Sequence, residues 1–230
     1  MRLLTFLTGL TGFFLAGALA AQTPEPRPGP PPPPPPLEAE NAWHLDLSTG
    51  GRVTVQLRPD VAPAHAERIR TLTRQGFYDG LVFHRVIEGF MAQSGDPTAS
   101  GNGGSDLPDL AAEIRGLPHL RGSVGMARAQ EMDSANSQFY IMLVPRLSMD
   151  RNYTVIGRVV GGMSFVDAIE RGEPPLNPAR IVRASIGSDN VPELSAEALR
   201  AAARPAPAAQ AEATPLQPAP GLEGGTIQPN

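Results

Sequence analysis

The chain has 230 residues, a formal net charge of −4, no cysteine and no lysine. A mildly acidic chain without a dense basic block is not built to bind nucleic acid. The missing cysteines remove disulfides, thiol catalysis and cysteine-ligated zinc, and an arginine-only basic set needs no site to explain it.

Arg2 is followed by an uncharged apolar run from Leu3 to Ala20 that ends in Ala18-Leu19-Ala20 before Ala21, the small-x-small pattern of a signal peptidase site. Residues 1–20 are therefore expected to be a signal peptide, and the product periplasmic or secreted after cleavage near Ala20-Ala21. The alternative is an uncleaved inner-membrane anchor, because the run approaches the roughly 20 residues a bilayer requires. Residues 21–40 form a proline-rich linker whose unbroken run from Pro30 to Pro36 favours a stiff polyproline spacer. Residues 41–190 read as one domain with its own core. Residues 191–230 are a low-complexity tail, expected to be mostly disordered, in which Ser195 can cap a short helix running to Ala203.

Within the body, Val53, Val55 and Leu57 alternate with Arg52, Thr54 and Gln56, the period of a half-buried strand. Trp43 to Leu47 is its antiparallel partner across Ser48-Thr49-Gly50-Gly51, so a hairpin opens the domain. From Val61 to Gln75, Ala62, Ala66, Ile69 and Leu72 recur at three and four, which predicts a helix capped by Asp60, entered through Pro63 and ended by Gly76. Strands are predicted at Val82–Ile87, Phe90–Ser94, Ser123–Ala127, Gln138–Leu143 and Val155–Val160. A second helix over Met163–Arg171, closed by Gly172, precedes a last strand over Arg180–Ile186. Many strands, two helices and no βαβ alternation predict an all-β-dominated domain, an antiparallel sheet closed into a barrel with helices over its open ends. Side chains would fill the interior of such a barrel, so a ligand must bind outside it or at a mouth.

Several chemistries find no support. The glycine-rich stretch Ser100 to Ser105 lacks a following Lys-Ser/Thr and reads as a tight, mobile loop rather than a phosphate cradle. His44, His65, His84 and His119 show no metal-ligand spacing and are expected at the surface or in satisfied structural hydrogen bonds. Ser94 lies in Gln-Ser-Gly rather than in a nucleophile elbow. No metal and no cofactor are expected.

What stands out is FHRVIEGFMAQSGD from Phe83 to Asp96, which sets Arg85 in an apolar strand and Gln93 among Phe90, Met91 and Ala92. Period two puts Arg85 with Ile87, and Met91 with Gln93, on common faces, so cation and amide can meet over one surface. GSVGMARA from Gly122, NSQFYIML from Asn136 and MDRNYTVIGRV from Met149 follow. In this order and at these separations the four stretches resemble the cyclophilin family of peptidyl-prolyl cis-trans isomerases, in particular its bacterial branch. The resemblance covers essentially the whole body.

The resemblance implies an eight-stranded closed antiparallel barrel capped by two helices, with a shallow outer groove for proline-containing peptides and unfolded proteins. It implies Arg85 as the catalytic residue. Phe90, Met91 and Tyr140 match the walls of the proline pocket, and Met149 and Tyr153 its far wall. Gln93 matches the amide that bonds the substrate backbone, Ala127 and Arg128 the segment that pairs with it, and Gln138 a groove-lining residue. The enzyme would act as a monomer on exported proteins. Four positions depart from the familiar eukaryotic pattern: Arg128 stands for Asn, Tyr140 for Phe, Ser148 for Trp and Tyr153 for His. Loss of the Trp implies weak cyclosporin binding. The competing reading is a proline-binding chaperone or scaffold that keeps the groove without turnover.

Overall fold

The computed structural model describes residues 36–202, so the leader, nearly all of the proline run and the chain beyond Ala202 lie outside the described residues. The opening hairpin forms as the alternation predicts: β1 (Ala42–Leu47) pairs antiparallel with β2 (Gly51–Leu57), Trp43 opposite Val55 and Leu45 opposite Val53. All four of these side chains are fully buried, because the period of two sends them to one face.

Helix α1 (Pro63–Arg74) buries Ala66, Ile69 and Leu72, begins on Pro63 and gives way to Gly76 in a left-handed conformation with φ +71°. The left-handed turn suits glycine because it has no Cβ to clash. The expected Asp60 cap is not used: Asp60 turns outward to Arg58, whose guanidinium donates to it at 2.8 and 2.7 Å. The free N–H groups of Ala64 and His65 are instead met by the Glu113 carboxylate at 3.3 and 3.1 Å. An acceptor from a distant loop thus does the work of a local cap, satisfying donors that the first turn leaves open.

The remaining strands are β3 (Arg85–Ile87), β4 (Met91–Ser94), β5 (Ser123–Met126), β6 (Phe139–Met142), β7 (Val155–Gly161) and β8 (Ile181–Ile186). Two short helices complete the described chain, α2 (Met163–Asp167) and α3 (Ala196–Ala202). Helix α2 stops four residues before the predicted Arg171. There the Arg171 guanidinium donates to the carbonyls of Asp167 and Ile169, and Gly172 joins β3 rather than closing a helix. Helix α3 accepts its predicted cap, Ala198 N–H to Ser195 Oγ at 3.2 Å, and buries Leu199 completely.

The eight strands form one antiparallel sheet in the order β3-β4-β6-β5-β7-β2-β1-β8. The sheet is curled but not closed, a correction to the closed barrel expected from the sequence. Between the terminal strands β3 and β8 there is no ladder, only isolated pairs of Val82 with Arg180 and Val86 with Gly172, and single bonds such as Phe83 N–H to Ala179 O at 2.9 Å. The chain running from Gly172 toward β8 carries Pro174, Pro175 and Pro178, which have no N–H to give, so a continuous ladder beside β3 cannot form.

The hollow of the sheet is filled. Phe139 is the hub of its aromatic packing, with ring centroids 4.8 Å from Trp43, 5.8 Å from Tyr78 and 6.3 Å from Phe83, all near edge-to-face. Such pairs add about 0.5–1.5 kcal/mol each beyond their buried area. A second, smaller apolar cluster lies elsewhere: Met91, Tyr140 and Met142, flanked by Ile87, Phe90, Ala127, Met149 and Tyr153.

Candidate functional site

The second cluster is the floor of a groove of about 410 Å³ lined by Arg85, Phe90, Met91, Gln93, Gly101, Ala127, Arg128, Tyr140, Met149 and Tyr153. Nine of the ten residues singled out in the sequence meet there; the tenth, Gln138, lines an adjoining groove of about 510 Å³ that shares Gln93, Gly101, Ala127 and Arg128.

Strand pairing explains the convergence. Arg85 lies opposite Gln93, Gln93 opposite Tyr140, and Tyr140 opposite Gly125, so four neighbouring strands contribute one row of residues. The residues beside that row, Ala92, Phe139 and Ile141, are fully buried in the main core. One register therefore decides both faces: slipping β6 by one residue would exchange Phe139 with Tyr140. Gly125 is required where it stands, since a Cβ there would lie 2.4 Å from the Tyr140 hydroxyl oxygen.

A directed chain of hydrogen bonds crosses the groove. Arg85 Nε donates to Glu173 Oε2 at 2.7 Å, and one Arg85 terminal nitrogen reaches Gln93 Oε1 at 3.5 Å. Gln93 Nε2 donates to Gln138 Oε1 at 2.8 Å, and Gln138 Nε2 donates to the carbonyls of Gly101 and Gly103 at 3.0 and 2.8 Å. The guanidinium, which can only donate, thereby orients the oxygen of Gln93 toward itself. The glycine-rich loop at the end of this chain is gathered around the buried Asp96 carboxylate, which accepts from the N–H groups of Thr98, Gly101 and Gly103 and from the Thr98 and Ser100 hydroxyls. Burial alone would raise the Asp96 carboxyl, but these bonds outweigh it and hold it down to about 2.

Beneath the pocket floor the Tyr140 hydroxyl meets His119 Nε2 at 2.8 Å, and His119 Nδ1 meets Asp150 Oδ1 at 2.8 Å. Asp150 can only accept, so Nδ1 carries a proton toward it, and Nε2 is left to the tyrosine hydroxyl. Burial pushes the Tyr140 hydroxyl well above its ordinary range, with Tyr153 adding to the effect, so it stays a neutral donor. Burial would also raise the Asp150 carboxyl, but the bonds from the His119 ring and backbone hold it below the usual range.

Arg128 does more than supply backbone. Its guanidinium donates to the carbonyls of Ala129, Gln130 and Asn152 and lies 4.6 Å from the centroid of the Tyr153 ring, joining the two walls of the groove. The histidines divide. His65 and His119 are buried on carboxylates, and His44 meets the Thr54 hydroxyl at 3.1 Å. His84 departs from expectation, being buried with neither ring nitrogen hydrogen-bonded within the described residues, and burial lowers its pKa. Ser94 is fully buried and donates to Val82 O, which removes it as a nucleophile. Sequence reasoning missed Glu173, Asp150 and Gly101 as parts of the site. Asp150, next to Met149 within a recognised stretch, and Gly101, in the glycine-rich loop after the first stretch, carried some signal, and Glu173 none.

The groove is thus a half-open apolar slot with a guanidinium and an amide on its rim, a shape that suits an apolar ring flanked by polar backbone. Comparisons with known proteins agree. The family model described as cyclophilin type peptidyl-prolyl cis-trans isomerase/CLD matches residues 44–186. A Brucella suis protein named "Probable peptidyl-prolyl cis-trans isomerase" is 45% identical over 168 residues, covering 66% of this chain and 85% of its own. Peptidyl-prolyl cis-trans isomerase B of Bacillus subtilis is 36% identical over 129 residues, 55% of this chain and 89% of its own. Among solved structures, a cyclophilin from Hirschia baltica superposes with a TM-score of 0.63 at 28% identity, covering 68% of this chain and 77% of that one. A Cryptosporidium parvum cyclophilin type isomerase crystallised in the presence of the dipeptide Ala-Pro gives 0.59 at 24% identity, covering 63% and 98%, a likeness that speaks for the fold alone. The chain belongs to the cyclophilin-type peptidyl-prolyl cis-trans isomerase family.

Proposed function

We propose that the protein catalyses rotation about X-Pro bonds by seating the proline ring in the slot of Phe90, Met91, Tyr140, Met149 and Tyr153 while Arg85 acts on the imide nitrogen. The observation that carries this reading is the placement of Arg85 beside that slot, opposite Gln93. Rotation is slow because amide resonance must be broken, a barrier of about 18–20 kcal/mol. In the twisted transition state the nitrogen turns pyramidal and basic, and a guanidinium N–H aimed at it gains a bond that the planar ground state does not offer. Family membership, the apolar slot and the rim of donors all support this assignment, which calls for neither a nucleophile nor a cofactor.

Arg85→Ala is expected to lower kcat/KM in a protease-coupled prolyl-peptide assay by about 10²–10³-fold, the loss typical of one preorganised charge-stabilising donor, with little change in peptide affinity. Wild-type protein that binds proline peptides without turnover would leave a scaffold in place of an enzyme. The leader pattern supports export and a role in folding exported chains; mass analysis of the mature chain should then find Ala21 first. Ser148 is exposed, next in the chain to Met149 of the groove, and offers no indole to a large apolar macrocycle, so cyclosporin is expected to bind weakly. Nanomolar inhibition in the same assay would refute that.

A further inference from the structure

Resting on the assignment of Arg85 as the group that acts on the imide, we infer that Glu173 is the residue that positions its guanidinium. Arg85 stands at the mouth of the groove with a side chain 42% exposed, and a long arginine at such a place has several rotamers of similar energy. Its contact with Gln93 is at the outer limit of a hydrogen bond, 3.5 Å, whereas Glu173 holds Nε at 2.7 Å. Binding Nε fixes the plane of the guanidinium and leaves its two terminal nitrogens off the carboxylate, one of them reaching Gln93 in the groove. A carboxylate on one of those nitrogens would compete with the substrate.

The carboxylate is itself well placed. Gly172, the residue before it, exchanges two backbone bonds with Val86 at 2.8 Å each, which sets Glu173 beside Arg85 through the backbone rather than through side-chain reach. A Cβ on Gly172 would fall 2.6 Å from Pro175 Cα and 2.7 Å from Pro174 O, so the Pro-Pro turn closes directly over it. Beyond the turn, the Glu170 carboxylate accepts from the N–H groups of Leu176 and Asn177 and from the Asn177 side chain. A segment anchored at both ends thus presents one carboxylate to one nitrogen of Arg85. Glu173 lies 88 residues from Arg85 in the chain, outside every stretch that carries the family resemblance.

The pair is exposed and adds little to stability; its effect is orientational, a two- to fivefold change in rate, which is about 0.4–1 kcal/mol and within the range of such pairs. The test compares kcat and KM of wild type, Glu173→Ala, Glu173→Gln and Glu88→Ala on an Ala-Pro peptide, together with the Arg85 Nε–Hε resonance in each. Glu173→Ala is expected to lower kcat two- to fivefold with KM unchanged and to shift the Nε–Hε signal to the position of a free guanidinium. Glu173→Gln, which keeps an acceptor at the same reach, should recover most of the lost kcat. Glu88→Ala, which removes the exposed ion pair of Glu88 with Arg171 and leaves the Gly172 and Glu170 anchors in place, should leave kcat and the signal unchanged. Wild-type kcat in Glu173→Ala, or an equal loss in Glu88→Ala, would overturn the inference. Absence of turnover in the wild type would instead count against the assignment of Arg85, since the resonance reports the pairing independently.

Discussion

The two faces of the strands β4 and β6 are built on opposite terms. Toward the hollow of the sheet, Ala92, Phe139 and Ile141 join an apolar core held by packing and ring edges. Toward the outside, Met91, Gln93 and Tyr140 form a slot whose apolar floor is held by polar supports: the Tyr140, His119 and Asp150 chain below, the Arg85 to Gln138 chain along the rim, and Asp96 behind the glycine-rich loop. A core can be stabilised by burial alone, because its shape need only exclude water. A groove open to solvent on one side cannot, so hydrogen bonds with fixed direction hold its walls while the mouth stays open.

Truncating the core should separate the two faces most sharply. Phe139→Ala removes the hub of the aromatic packing and is expected to lower unfolding stability by about 3–5 kcal/mol, read by urea denaturation, while the fraction that remains folded keeps its turnover. Arg85→Ala is the converse, a large loss of rate at an unchanged midpoint.

Acid should act on the outer face first. The Asp96 carboxyl is depressed to about 2 in the folded chain, below the value of an unfolded aspartate. The stability it contributes is therefore present above about pH 4 and lost as pH falls toward 2, a difference of about 2 kcal/mol. Asp96→Asn is expected to be less stable at pH 7 and to lose less on acidification than the wild type. Equal acid sensitivity of the two proteins would count against Asp96 as the anchor.

The smallest effect is expected from Tyr140→Phe. It deletes one hydroxyl, leaves buried His119 Nε2 without its partner and should lower stability by about 1–2 kcal/mol. The ring that walls the slot is kept, so KM should move little. A large rise in KM with intact stability would mean that the hydroxyl faces the peptide rather than the histidine.

Much of the fold was legible because it follows local periods. The alternation around Val53 and Val55, the three-and-four spacing from Ala62 to Leu72, and Ser195 ahead of a short helix each appear in the structure, with ends moved by a few residues. The errors lie where side-chain hydrogen bonds and missing N–H groups overrode the periodic pattern. Glu113 caps α1 in place of Asp60, Arg171 ends α2 early, and three prolines keep the sheet from closing. The site was legible through residue types in register, Arg85 and Gln93 on paired strands above all. Glu173 was not, because a surface glutamate in a proline-rich loop has no pattern to mark it.

By itself the sequence determined which strands and helices can exist, which side of each is apolar, and which family of sites the motifs describe, since these depend on spacing along the chain. Only the tertiary structure decided which carboxylate meets which cation, how far the sheet curls and what supports the floor of the slot. Those are matters of contact between segments dozens of residues apart, and neither period nor composition encodes which of many equivalent acids arrives at a given arginine.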